Sequence, residues 1–192
     1  MLKPSRAEIQ AAYNQTVPDI IAPDLKVLFC GINPSLYSAA VGHHFARPGN
    51  RFWKTLYAAQ LTDRLFHPAE DQQLLDLGYG ITNLVDRATA RADELAPVEL
   101  VAGRQALLAK VEQYRPKILA VLGISAYRTG FSQPKAQMGR QPTRLAPNTL
   151  VWVLPNPSGL NAHYQIADLQ QVYGEVGKWG GGEVGEIGEM GR

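Results

Sequence analysis

The sequence predicts a three-layer α/β/α sandwich around a short, mainly parallel sheet of four or five strands. Short runs rich in aliphatic and β-branched residues recur at wide spacing, and helix-length segments separate them. Strands spaced in this way pair in parallel and are covered on both faces by their connecting helices. A further observation places the ligand side of the sheet. Val27-Leu28-Phe29-Cys30 runs straight into Gly31-Ile32-Asn33-Pro34-Ser35, and Val151-Trp152-Val153-Leu154 is soon followed by Asn156-Pro157-Ser158-Gly159-Leu160. Ligands of an open α/β sheet bind beyond the carboxyl ends of the strands, so two polar turns there frame one pocket.

Taken in order, Ser5 with Glu8 three residues later reads as a helix cap, and Pro18 ends that helix, giving an N-terminal extension over residues 1–20. Strands are predicted at 26–32, 80–85, 117–123 and 149–155. Helical patterns fall at 50–60, 97–114 and 125–133, with Pro97 as a first helical residue. A last helix at 164–176 follows from the near-helical spacing of Ile166, Leu169, Val172, Tyr173 and Val176. The main domain therefore spans 21–176, and the Gly- and Glu-rich stretch 177–192 reads as a flexible tail.

A chain of 192 residues with 45% hydrophobic content can bury one sizeable core without metal or disulfide staples. The lone Cys30 lies inside an apolar run and reads as a small buried hydrophobe in a reducing compartment. No apolar run approaches the roughly 18 residues of a membrane span, and the start Met1-Leu2-Lys3-Pro4-Ser5 lacks a secretory apolar core. The expectation is a soluble, cytoplasmic, monomeric protein with no membrane partner. A net charge of +2 does not by itself argue for a polyanion. Basic residues Arg104, Lys110, Arg115, Lys117, Arg128, Lys135, Arg140 and Arg144 nevertheless face only Glu112 between Gly103 and Arg144. They serve either phosphate contact or simple solvation of helix surfaces.

In the first turn Gly31 permits close backbone approach and Pro34 fixes the bend, so the Asn33 side chain is presented at a strand end. The following segment, from Gly42-His43-His44-Phe45 through Arg47 to Asn50-Arg51-Phe52-Trp53, interleaves aromatic, histidine and arginine residues. Nucleic-acid readers use that mixture for stacking and phosphate contact. With Leu84-Val85-Asp86-Arg87 and the Asn156-Pro157-Ser158-Gly159-Leu160 block, four motifs stand in order. On these motifs the chain resembles the mismatch-specific uracil-DNA glycosylases, bacterial relatives of thymine-DNA glycosylase within the uracil-DNA glycosylase superfamily.

The resemblance implies a residue assignment. Asn33 positions the hydrolytic water, Phe45 stacks on a flipped base, and backbone amides around Ile32 and Phe45 bind the pyrimidine edge. Gly31, Tyr37, Ser38 and Asn83 complete that pocket. Leu160, with Gly159, fills the gap left in the duplex and contacts the widowed guanine, on a DNA-binding loop with Asn156, Pro157, Ser158 and His163. The implied partner is double-stranded DNA carrying uracil mispaired with guanine, with thymine, 5-modified pyrimidines and single-stranded DNA as further substrates. Base extrusion costs a few kcal/mol, which an apolar wedge partly offsets. The chain departs from the bacterial pattern at Asn83, where Lys is expected, at the bulky Tyr37, and at Asn161-Ala162-His163, where an Arg is expected. His43 and His44 are closer to the thymine-processing branch, or are ordinary loop histidines.

Glycosidic cleavage needs stabilisation of the leaving pyrimidine, a placed water, and help for a cationic sugar. Asn33 orients water but is a poor base, so a carboxylate would add to it. The loop after the second strand supplies Asp86, Asp93 and Glu94. Asp86 is expected to pair with its neighbour Arg87, and Asp93 is the candidate auxiliary catalytic carboxylate. No Cys pair, helical His pair or carboxylate-His cluster has metal-ligand spacing, so no metal or other cofactor is expected. Neither turn carries a Lys for a Schiff base, which predicts a monofunctional enzyme leaving an abasic site. Two other readings stay open: a non-catalytic mispair-sensing DNA-binding module, and an α/β hydrolase of small nucleosides.

Overall fold

A computed structural model describes residues 3–182. Four parallel strands, β1 (Val27–Gly31), β2 (Tyr79–Asn83), β3 (Ile118–Leu122) and β5 (Thr149–Leu154), are joined by an antiparallel β4 (Gly139–Ala146). The sheet order is β2-β1-β3-β5-β4. Among the described residues six α-helices accompany it: α1 (Arg6–Ala11), α2 (Leu36–Val41), α3 (Phe52–Ala58), α4 (Pro97–Tyr114), α5 (Ile124–Gly130) and α6 (Ile166–Gly181).

The central strands are apolar throughout because both faces are covered. Val27, Phe29, Ile81, Ala120 and Leu154 point into one core with Phe52, Leu56, Leu169, Tyr173 and Val176 of α3 and α6. Leu28, Cys30, Leu119, Val121 and Val153 point into the other with Leu107 and Val111 of α4 and Tyr127 of α5. The predicted three layers are present, and α4 begins and ends at the residues its Pro97 start and periodicity indicate. Burial pushes the Cys30 thiol pKa far up, which fits its place in the second core.

Several segments differ from the sequence expectation. β4 is a polar edge strand whose pairing with β5 is broken by register shifts, and Pro142 sits where an edge tolerates a missing donor. Its exposed Arg, Pro and Thr residues give no apolar alternation to read. α2, of six residues, and a ten-residue 3-10 segment Pro68–Leu77 are too short or too mixed to show a helical period. The predicted tail also begins too early, since α6 continues through Gly181. A Cβ at Gly177 would lie 2.2 Å from Leu61 Cδ2, and one at Gly180 would lie 3.0 Å from the Lys26 carbonyl oxygen. These glycines permit close packing, of Gly177 on Leu61 and of Gly180 at the start of β1, rather than chain freedom. The rest of the predicted tail, 183–192, lies outside the described residues.

The N-terminal extension is stitched to the domain. Ser5 and Glu8 form the expected capping box of α1. Ile20 forms an antiparallel bridge with Ile81 on the free side of β2, with reciprocal N–H···O bonds of 2.8 Å. Asp19 pairs with Lys110 of α4 at 2.7 Å. Further upstream, Asn14 and Gln15 exchange main-chain bonds with Ala88, bracing the loop that leaves β2.

Candidate active site

Gly31, Asn83, Leu122 and Asn156 mark the carboxyl ends of the parallel strands, and all line one cavity of about 300 Å³. Its position is the one an open parallel sheet reserves for ligands. Ile32, Asn33, Ser38, Phe45, Ser158 and Leu160 also line it, so both predicted turns do meet there. Among the described residues no group of three or more His, Cys, Asp or Glu is placed to hold a metal.

Asn33 lines the cavity, and its side-chain amide is held in a fixed orientation. Its Nδ2 donates to Thr89 Oγ1 at 2.8 Å and to the Arg87 carbonyl at 3.0 Å. Thr89, itself buried, donates its own hydroxyl hydrogen bond to the Arg91 carbonyl at 2.7 Å. With both amide protons committed, Asn33 Oδ1 is the atom left to accept a hydrogen bond from a ligand or water. Thr89 is therefore a site residue that residue-type reasoning missed. It lies within the 86–94 loop already singled out, but its role depends on pairing across the sheet edge, where Ser35 and Thr89 form a parallel bridge.

Phe45 has a positive φ of 52°, a strained state for an aromatic residue. Both flanks hold it. The His44 carbonyl accepts from Trp53 Nε1 at 3.1 Å, and Ala46 N donates to Ser38 Oγ at 3.1 Å. Ser38 Oγ is held in turn by Ser35 Oγ, whose residue caps α2. The Phe45 ring stacks on Phe52 with centroids 4.1 Å apart and also lines the cavity, where it offers a flat apolar surface. Gly31 makes this possible: a Cβ there would lie 2.6 Å from Asn83 Oδ1 and 3.3 Å from Phe45 Cζ.

His44 is buried, and burial lowers its pKa below the ordinary imidazole value despite the Pro18 carbonyl and nearby Asp71 and Asp19. Its Nε2 donates to the Pro18 carbonyl at 2.8 Å, which leaves Nδ1 as the acceptor facing Asn83 Nδ2 at 3.5 Å. That arrangement presents Asn83 Oδ1 toward Gly31 and the cavity. His43 instead bonds buried Asp71 through Nδ1 at 3.0 Å and is not among the cavity-lining residues. His43 thus braces the loop away from the cavity, while His44 both lines the cavity and orients Asn83.

Asp93 reaches the cavity rim from a 3-10 turn, Ala92–Glu94. Its Oδ1 accepts from Arg91 Nε at 3.1 Å and its Oδ2 from Arg91 Nη2 at 2.5 Å, with both side chains largely exposed. Asp86 does not brace its neighbour. Arg87 points to Glu99, at 2.6 and 3.0 Å, and Asp86 lies 3.7 Å from Lys110. The Arg87 partner holds the Glu99 carboxyl down at about 2.

Not every pocket residue expected from sequence lines the cavity. Tyr37 lies on α2 but is not among the lining residues. His163 is exposed in a separate shallow cleft with Tyr164 and Asp168. Pro157 is buried and Gly159 exposed on the loop behind Leu160, whose own side chain is 77% exposed at the mouth. The cations that line the cavity are Arg47 and Arg91. The basic run does not gather there: Lys110 and Arg115 pair with Asp19 and Asp24, Arg128 caps the Ala136 carbonyl, and Arg140 lies over Trp179.

A profile described as the Uracil DNA glycosylase superfamily matches residues 18–175. Among solved structures, a solution NMR structure described as a "putative Uracil DNA glycosylase from Methanosarcina acetivorans" superposes with a TM-score of 0.54 and 14% identity, covering 85% of this chain and 98% of that one. At that identity the likeness is one of fold.

Proposed function

This chain belongs to the uracil DNA glycosylase superfamily, and from that premise we propose that it is a monofunctional DNA glycosylase that flips uracil out of duplex DNA, where it is mispaired with guanine, and hydrolyses its glycosidic bond. The observation that carries the reading is Asn33, whose amide protons are tied to Thr89 and Arg87, leaving Oδ1 to accept, at a cavity that Asn33 and Phe45 both line.

In this mechanism the flipped pyrimidine stacks on Phe45, with Asn83 Oδ1 accepting from the imide N–H. A water hydrogen-bonded to Asn33 Oδ1 attacks the sugar C1′. The new O–C1′ bond forms as the C1′–N1 bond breaks, and the electron pair leaves on the pyrimidine. Main-chain N–H groups near Ile32 and Phe45 stabilise that anion, by the logic of an oxyanion site. The water's proton passes to solvent at the open rim, where Asp93 serves as an auxiliary carboxylate that also favours the cationic sugar. Leu160 enters the vacated stack, and Arg47 and Arg91 at the mouth attract the flanking phosphates. Opposite guanine the uracil pair is weak, so extrusion is cheapest there. Thymine and 5-modified pyrimidines are slower substrates, the product is an abasic site, and the enzyme acts in base excision repair in the cytoplasm at the nucleoid.

Single-turnover base release from duplexes with G·U, A·U and G·T pairs tests the reading, using the intact protein and its Asn33→Ala and Asp93→Ala variants. Uracil release fastest from G·U, with Asn33→Ala losing far more rate than Asp93→Ala, is the expected result. An Asp93→Ala loss equal to that of Asn33→Ala would move the principal chemistry to the carboxylate. Mispair binding without release of any base would replace the enzyme with a mispair-sensing module.

A further inference from the structure

Arg51 spends its side chain on the main chain of the loop that carries Leu160. Nη2 donates to the Ser158 carbonyl at 2.8 Å and to the Asn161 carbonyl at 2.9 Å. Nη1 donates to the Tyr164 carbonyl and Nε to that of Pro157 at 3.4 Å, while the Arg51 backbone N–H reaches the same Pro157 oxygen at 2.9 Å. The Asn161 N–H closes a turn onto the Ser158 carbonyl at 3.0 Å, with Gly159 and Leu160 at its apex. One guanidinium nitrogen therefore grips both feet of the turn from which Leu160 projects.

The other side of Arg51 is the base pocket. It immediately precedes Phe52, on which Phe45 stacks, and α3 starts there. The two loops also touch behind the turn: a Cβ at Gly159 would lie 2.6 Å from the Gly49 carbonyl oxygen. A planar donor fork suits this task because it holds several carbonyls in fixed directions at once, which a lysine ammonium on a flexible stem does not. A loop with an exposed leucine at its tip has little packing there, and beside its own short-range hydrogen bonds the Arg51 fork ties it to the rest of the domain.

We propose that Arg51 is a positioning residue that fixes the Leu160 turn relative to the Phe45 platform, so that insertion into the duplex and seating of the flipped base occur as one event. The proposal rests on the glycosylase reading for its consequence, but the clamp itself is measurable without activity.

The test is a double-mutant cycle on single-turnover uracil release from a G·U duplex. Arg51→Gln is expected to slow release about tenfold in the intact protein and less than about threefold in a Leu160→Ala background, because its effect runs through that leucine. Backbone amide exchange at 158–164 is expected to quicken about tenfold or more in Arg51→Gln, with exchange in the central strands unchanged. Losses that multiply independently, or unchanged exchange in the loop, overturn the proposal. If Arg51→Gln does not fold, Gly159→Ala displaces the same turn with Arg51 in place and is expected to show the same dependence on Leu160. If the intact protein releases no uracil, the glycosylase reading fails and the exchange measurement alone decides the clamp.

Discussion

The chain uses the tripeptide Asn-Pro-Ser twice, at 33–35 and 156–158, and folds it in opposite ways. In the first turn the asparagine reaches outward: Asn33 Nδ2 bonds Thr89 and the Arg87 carbonyl, more than fifty residues on, and Ser35 caps α2. In the second the asparagine folds back, with Asn156 Oδ1 accepting from Ser158 N at 3.0 Å, and Ser158 Oγ accepts from Leu160 N at 3.3 Å. The first is a long-range junction that freezes one amide. The second is a local Asx turn of the kind any short loop makes, and its wider geometry is supplied by Arg51. The same three residues thus yield a corner locked by distant partners in one place and an externally held tip in the other, and the difference lies in their partners.

Breaking the first turn should have the larger effect. Asn33→Ala removes the oxygen proposed to hold the attacking water, and single-turnover uracil release is expected to fall about 10²–10⁴-fold. Thr89→Val keeps the volume but withdraws one acceptor from Asn33 Nδ2, freeing the amide to rotate. A loss of about 10–100-fold is expected, with little change in duplex affinity measured by titration. If Thr89→Val is fully active, the orientation of Asn33 does not depend on that junction.

The second turn should respond more mildly and differently. Leu160→Ala is expected to cost about tenfold in release from G·U duplexes and less from single strands, which have no stack to fill. Equal losses on both substrates would place Leu160 in the pocket and not in the duplex.

The smallest effect concerns pH and belongs to the first side alone. His44 resists protonation in the folded protein because it is buried, whereas in the unfolded chain it titrates normally. Below about pH 6.5 the unfolded chain binds the extra proton first, so stability is full above that pH and declines beneath it, by at most about 1.4 kcal/mol per pH unit. Melting temperatures from pH 8 to 5 should fall less steeply in His44→Gln than in the intact protein.

Much of this architecture was legible because its signals are local. Pro97 and helical periodicity delimit α4, Ser5 with Glu8 announces α1, and apolar runs mark the four parallel strands. The strand-then-turn pattern located the cavity, and the motif order brought Asn33, Phe45 and Leu160 to it. The sequence also drew attention to the loop at 86–94, yet it favoured Asp93 for its charge and passed over Thr89, whose importance comes from a bond across the sheet edge. β4 escaped notice because an exposed polar edge strand has no apolar alternation.

By itself, then, the amino-acid order determined the layered fold, the edge of the sheet where the site lies and the residue types assembled there, since each follows from spacing along the chain. Tertiary structure decided which partner each polar group takes. It made Arg51 a clamp, gave Arg87 to Glu99, turned the glycines at 177 and 180 into packing contacts, and set Asn33 against Thr89. The physical reason is that hydrophobic periodicity is written in neighbouring residues, whereas a hydrogen bond between distant segments exists only once the sheet has brought its two ends within about 3 Å.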